Sequence, residues 1–147
     1  MADTSTLPPW ALTTSCSNPH FSNGYCTDGP ITYNVVDLAE AARDKPVIDV
    51  SMSKLRHNLT ESRWSNELVP MRVINVMSSG IEMSDDILGH SDRILYAELK
   101  YPIIIDSSYD VLDGTHRLAK QYLLNAVTAK CVMLTRDDLK GLGKYCD

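Results

Sequence analysis

Asp113, Gly114, Thr115, His116 and Arg117 stand in a row between an apolar stretch and a segment with helical spacing. Such a row can do anion chemistry. A helix start leaves backbone N–H groups without intrahelical partners, and a glycine lets the backbone approach a ligand closely. Arg117 adds a planar, permanently charged fork that matches phosphate oxygens two at a time. Its competing role is an ion pair with Asp113 or Glu98. His116 can donate a hydrogen bond or exchange a proton near neutral pH, or it can serve the fold through a backbone carbonyl. Thr115 can cap the helix and touch a phosphate at once. Lys120, one turn after His116, can reach a terminal phosphate or stay in solvent. Asp113 reads two ways. It can shape the turn, or it can accept a proton from a substrate hydroxyl or hold Mg2+.

The surrounding pattern must place these groups. Pro102 to Ile105 reads as a buried strand, Ser107-Ser108 as a turn and Tyr109 to Leu112 as a second strand. Leu118, Ala119, Tyr122 and Leu123 give the next helix its apolar side, and Thr128 to Leu134 reads as a strand. Upstream, residues 35–43 read as a helix and 47–50 as a strand. Ser51 or Ser53 caps a short helix reaching Leu59. Pro70 opens a helix to about Met77, and Ser79-Gly80 breaks the chain. Ser91 is expected to cap a helix through Leu99 with Ile94, Leu95 and Leu99 on one face. His90 and Arg93, three apart, can share a helix face, or they can belong to a polar helix start with Asp92 near its N-terminal dipole. Residues 137–142 read as a last short helix stopped near Gly143. The expected fold is α+β, one compact domain over 31–147 with a small mixed sheet flanked by helices. Residues 1–30, with Pro8, Pro9, Pro19, Pro30, Asn23-Gly24 and Asp28-Gly29, read as a loop-rich arm packed on it, not as helix or sheet.

The stretch from Tyr101 to Leu134, with Asp-Gly-Thr-His-Arg between strand and helix, resembles the ParB/sulfiredoxin superfamily. The resemblance covers the last third of the chain well and extends weakly upstream. Relatives include the ParB N-terminal domain, sulfiredoxin, ADP-dependent free-serine kinases and small phage-encoded proteins. In them this segment contacts nucleotide phosphates. The resemblance therefore implies ATP or ADP at Gly114, Thr115, His116, Arg117 and Lys120, with His90 and Arg93 lining the pocket and Mg2+ as a helper. It also implies catalytic roles for Asp113 and His116, and for Glu61 by analogy with an upstream glutamate of the serine kinases. Two departures narrow it. Thr115 stands where sulfiredoxin has its reactive cysteine, which excludes thiol-based sulfinic acid reduction. The Gly-Glu-Arg-Arg-type box of partition proteins is missing. Asn125 stands where relatives often have glycine, and asparagine tolerates the same left-handed backbone.

The 147 residues suffice for a core, and hydrophobic content is ordinary at 44%. A net charge of −5 argues against tight, sequence-independent binding of duplex DNA. No apolar run approaches a membrane span and no segment reads as a secretory signal, so the expectation is a cytoplasmic protein. Cys131 is expected inside a strand. Cys16, His20 and Cys26 lack a convincing fourth ligand, so no metal site is expected there. The leading expectation is a nucleotide-binding protein that transfers or hydrolyses a phosphoryl group, with a small hydroxyl compound as acceptor. The alternatives are a nucleotide-responsive regulatory or DNA-transaction module without turnover, and a ParB-like nuclease.

Overall fold

A computed structural model describes residues 21–26, 29–64, 68–79, 84–140, 142 and 144–146. Its centre is the apolar run Ile103-Ile104-Ile105, in which each side chain is buried although neighbours on a strand point to opposite faces. Both faces must therefore be covered. Strand β4 (Ile103–Asp106) turns back into β5 (Val111–Asp113), helix α5 (Thr115–Leu123) crosses over, and β6 (Thr128–Leu134) returns parallel to β4. Strand β3 (Ile48–Ser51) pairs antiparallel with β6 and completes a four-stranded mixed sheet in the order β3-β6-β4-β5.

The alternation along the strands divides the core. Ile103, Ile105, Val111, Ala129 and Cys131 pack with Ile94, Leu118, Ala119, Val73 and Trp64, on the side covered by α3 (Pro70–Ser79), α4 (Asp85–Leu95) and α5. Ile104, Leu112, Val132 and Leu134 pack on the other side with Leu38, Ala39 and Ala42 of α1 (Val35–Ala42). The domain is thus the expected compact α+β fold, a mixed sheet between helices. Cys131 is fully buried, and burial pushes its thiol up to about 12, so it acts as a small apolar residue.

Most expected elements stand within a residue or two. Ser51 caps the short helix α2 (Met52–Leu55) by accepting from the Ser53 N–H, and a 3-10 turn, Arg56–Leu59, follows. Asn125 has φ 59, the left-handed stop expected of it. α6 (Arg136–Lys140) matches the last expected helix, while Gly80 and Gly143 lie outside the described residues.

Three readings need correction. The helix assigned to a Ser91 cap begins instead at Asp85. Ser84 is its N-cap, accepting from the Ile87 N–H at 3.3 Å, and Asp85 and Asp86 suit the positive helix start. Ser91 is buried in mid-helix, and the helix ends at Leu95. Tyr109 belongs to the β4–β5 turn, not to a strand. It has φ 64, and Asp106 Oδ1 accepts from Ser108 N and Asp110 N at 2.8 and 3.0 Å. Lastly, part of the supposed arm is sheet: β1 (Phe21–Cys26) and β2 (Gly29–Asn34) form an antiparallel hairpin joined by β7 (Lys144–Cys146). Residues 1–20, with Cys16 and His20, lie outside the described residues. No helix among the described residues is long and apolar enough to cross a membrane.

Candidate functional site

The β5–α5 junction is built on one glycine. Gly114 takes φ 110 and ψ 23, a backbone that side chains avoid, and it is the N-cap of α5 without a side-chain cap bond. A methyl group there would also collide with Arg117, at 2.7 Å from Nη2 and 3.0 Å from Nε. The guanidinium of Arg117 therefore lies folded back over the bare backbone of the helix start. Thr115 is the first helical residue and not the cap, which corrects its expected capping role.

Arg117 Nη2 donates to Asp113 Oδ2 at 3.0 Å, one helical turn back, and both side chains are buried. Burial raises the Asp113 carboxyl above the usual range, against the pull of the Arg117 charge and the Gly114 N–H. Arg117 cannot shed its proton and would otherwise be a buried lone charge, so the pair is ionised at neutral pH. The competing role foreseen for Arg117, an ion pair with Asp113, is thus present.

The histidines meet as expected of a shared pocket, and more closely than spacing alone implied. His90 Nδ1 and His116 Nε2 are 2.8 Å apart, so one ring donates to the other. Both are buried. Trp64 stacks on the two of them, with ring centroids 4.0 Å from His90 and 4.4 Å from His116 and interplanar angles of 8° and 11°. An indole thus covers one face of a nearly coplanar imidazole pair. Burial, then the charge of Arg93, lowers His90 to about 4, against a small opposing pull from Asp86. His116 falls to about 2 through burial first, then His90, Arg93 and Arg117. Both rings are neutral at pH 7. The Arg93 charge acts on both rings, and that of Arg117 on His116.

Two expected site residues, Lys120 as a ligand and Glu61 as a catalytic group, have other partners. Lys120 Nζ donates to Leu95 O at 2.7 Å and Ala97 O at 2.9 Å, closing the C-terminal end of α4, where a cation suits the dipole. Glu61 is exposed and pairs with Arg63 at 3.3 Å. It belongs to a network that pins the β4–β5 turn. There Arg63 Nη1 donates to Val111 O at 3.0 Å, His57 Nε2 meets Asp110 Oδ1 at 2.8 Å, and buried Asn58 donates to Tyr109 O and accepts from Val111 N, both at 2.9 Å. The Arg63 guanidinium also donates to Asn58.

Mg2+ held by the chain does not fit the donors present. Asp113 is the junction's carboxylate and is committed to Arg117, and no group of three metal-ligating side chains occurs among the described residues. Sequence reasoning missed Trp64, Asn58 and the His57–Asp110 contact. Trp64 is an aromatic within a polar segment, residues 61–66, and nothing local ties it to histidines 26 and 52 positions away. No family model matches the chain, and no curated protein or solved structure matches it.

Proposed function

We propose that the β5–α5 junction binds the phosphates of a nucleotide, ATP or ADP, in a cytoplasmic protein. The observation that carries this reading is the Arg117 guanidinium held over Gly114 at a helix start, beside a histidine on which the Arg93 charge also acts. Helix-start N–H groups and fixed guanidinium donors are what phosphate oxygens bind. The resemblance of Asp113 to Arg117 to the ParB/sulfiredoxin motif supports the same choice of ligand. Mg2+ would arrive on the ligand's phosphates and not in a cage made by the chain.

Phosphoryl transfer to a small hydroxyl compound, or hydrolysis, would need a base at the junction. One observation favours binding without turnover. Asp113 is buried and engaged by Arg117 at 3.0 Å, so its carboxylate is not presented to an acceptor. His116, with its proton affinity pushed far down, is a poor base at neutral pH. The preferred reading is therefore a nucleotide-responsive module.

Calorimetry with ATP and ADP on the intact chain tests it, with Arg93→Ala as the variant. Arg93 is half-buried at the edge of the cluster, so its removal should leave the fold standing. Loss of a charge-assisted bond should weaken binding by about 1.5–3 kcal/mol. Unchanged affinity in Arg93→Ala, or no heat with either nucleotide, overturns the reading. Labelled-nucleotide turnover by the wild type would restore the enzyme alternative.

A further inference from the structure

We infer that residues 58–64 hold the chain on both sides of Gly114 and so fix the aim of the helix-start N–H groups, with Arg63 and Trp64 as positioning residues for the anion site. This rests on the phosphate-binding reading above and adds to it what keeps the site in shape.

A site built on a glycine has a soft joint at its centre. Gly114 connects β5 to α5 with φ 110, and a glycine backbone resists rotation least. The Leu118 N–H donates to Gly114 O at 2.9 Å, which closes the first turn of α5 but does not fix the strand against the helix. Both arms of the joint need a hold from outside it.

One short segment reaches both arms. Three residues before Gly114, Val111 is held twice. Its N–H donates to Asn58 Oδ1 at 2.9 Å, and its carbonyl accepts from Arg63 Nη1 at 3.0 Å. Two residues after Gly114, His116 lies against the indole of Trp64, with ring centroids 4.4 Å apart and planes 11° from parallel. The same indole stacks on His90 of α4 at 4.0 Å, and His90 Nδ1 and His116 Nε2 are 2.8 Å apart. The start of α5 is thus tied to α4 and covered by one ring. Arg63 and Trp64 are consecutive, so the hold on the strand and the hold on the helix share one stretch of backbone.

The segment can carry this because it is itself fixed. Leu55 and Leu59 are fully buried in the same core as Val111 and Leu118. Asn58 is also fully buried and donates to Leu55 O at 2.9 Å. At the other end, Leu68 O accepts from Arg63 N and Trp64 N, both at 3.3 Å. The stiffness shows at Tyr109. Bulky residues avoid a left-handed backbone, yet Tyr109 keeps φ 64, with its carbonyl held by Asn58 at 2.9 Å and its N–H by Asp106 O at 3.1 Å. A clamp that helps to hold a tyrosine against its local preference can also hold a glycine. Donors fixed in advance bind an anion without first being ordered, so releasing the clamp costs affinity although neither Arg63 nor Trp64 touches the ligand.

The test uses the intact chain with ADP as the probe. Trp64→Leu removes the stacked ring and Trp64→Phe keeps one. Arg63→Lys keeps the charge and loses the fork that spans Val111 O and Asn58. Amide hydrogen exchange is followed at Leu118, with the amides of β6 as reference, and ADP affinity is measured by calorimetry. Leu118 should exchange about tenfold faster relative to β6 in Trp64→Leu and in Arg63→Lys, because the opening is local. ADP affinity should fall about tenfold in both, as when a support behind a ligand-binding group is removed, and Trp64→Phe should recover most of the loss. A merely structural Trp64 would speed Leu118 and β6 alike. If Trp64→Leu does not fold, Arg63→Lys carries the test. Wild-type affinity and unchanged Leu118 exchange in either variant overturn the inference and leave the nucleotide reading standing. Wild-type protein that gives no heat with ADP overturns the nucleotide reading, and the clamp survives that result only if Leu118 responds to both variants.

Discussion

Replacing Arg117 with alanine should strand Asp113, whose side chain is 2% exposed, without the guanidinium that now meets it at 3.0 Å. Removing one partner of a buried ion pair costs about 3–5 kcal/mol, because the remaining charge has neither water nor counter-ion. That is a large share of the roughly 5–15 kcal/mol that holds a domain folded. Asp113→Asn should also destabilise, since Arg117 then keeps its charge among buried neighbours. The paired replacement Asp113→Leu with Arg117→Met removes both charges and should recover most of the loss, to within about 1–2 kcal/mol of wild type. The deficit of Arg117→Ala has a definite pH sign. Stranded Asp113 has a folded pKa raised above its unfolded value, so its neutral form is favoured in the fold. Stability is then retained below the unfolded pKa and lost as pH rises through the folded one, and the deficit should shrink from pH 7 to pH 4.5. Urea unfolding of the four proteins at both pH values measures this. Single variants within about 0.5 kcal/mol of wild type, with no coupling between them, would refute a buried ion pair here.

Wild-type stability should fall on acidification from pH 6.5 toward pH 4. His90 and His116 have folded pKa values below the unfolded value of about 6.5, so their contribution is whole above it and fades as pH falls. His90 alone, at about 4, accounts for a loss of about 3 kcal/mol over that range and His116 adds to it, and a flat urea midpoint would contradict a neutral buried pair. Lys120→Met should cost about 1–2 kcal/mol by removing a cation and two bonds from the end of α4, with nucleotide affinity unchanged by calorimetry. A tenfold loss of affinity would instead return Lys120 to the ligand.

Local chemistry made some of this legible. The strands at Ile103 and Thr128, the helix after Gly114 and the left-handed Asn125 follow from apolar periodicity and from the backbone preferences of glycine and asparagine. Ser84 and Ser91 show where such signals run out. Each is a serine beside aspartate ahead of apolar residues, and only the packing of Ile87 and Ile94 decides which one starts the helix. Phe21 to Cys26 carries Asn23-Gly24, a turn signal, yet it is a strand because Ile31 and Thr32 pair with it. Strand pairing is non-local, so composition alone cannot report it. The stacked rings are the extreme case. Trp64, His90 and His116 come from three segments separated by 26 residues each, and their contact exists only once α4 and α5 pack.

The same packing reconciles an acidic chain with a proposed anion site. Duplex DNA presents phosphates along its length, and a net charge of −5 argues against tight, sequence-independent binding of it. A single phosphate group samples only the field within about one screening length, roughly 8 Å. There the charges are Arg93 and the helix start, set against Asp86, while Asp113 and Arg117 offset each other. Burial is the first cause of the neutral histidine pair, and the arginine charges add to it. The site as proposed would favour small, highly charged anions by local geometry over extended ones. That selectivity is what a nucleotide-responsive module requires.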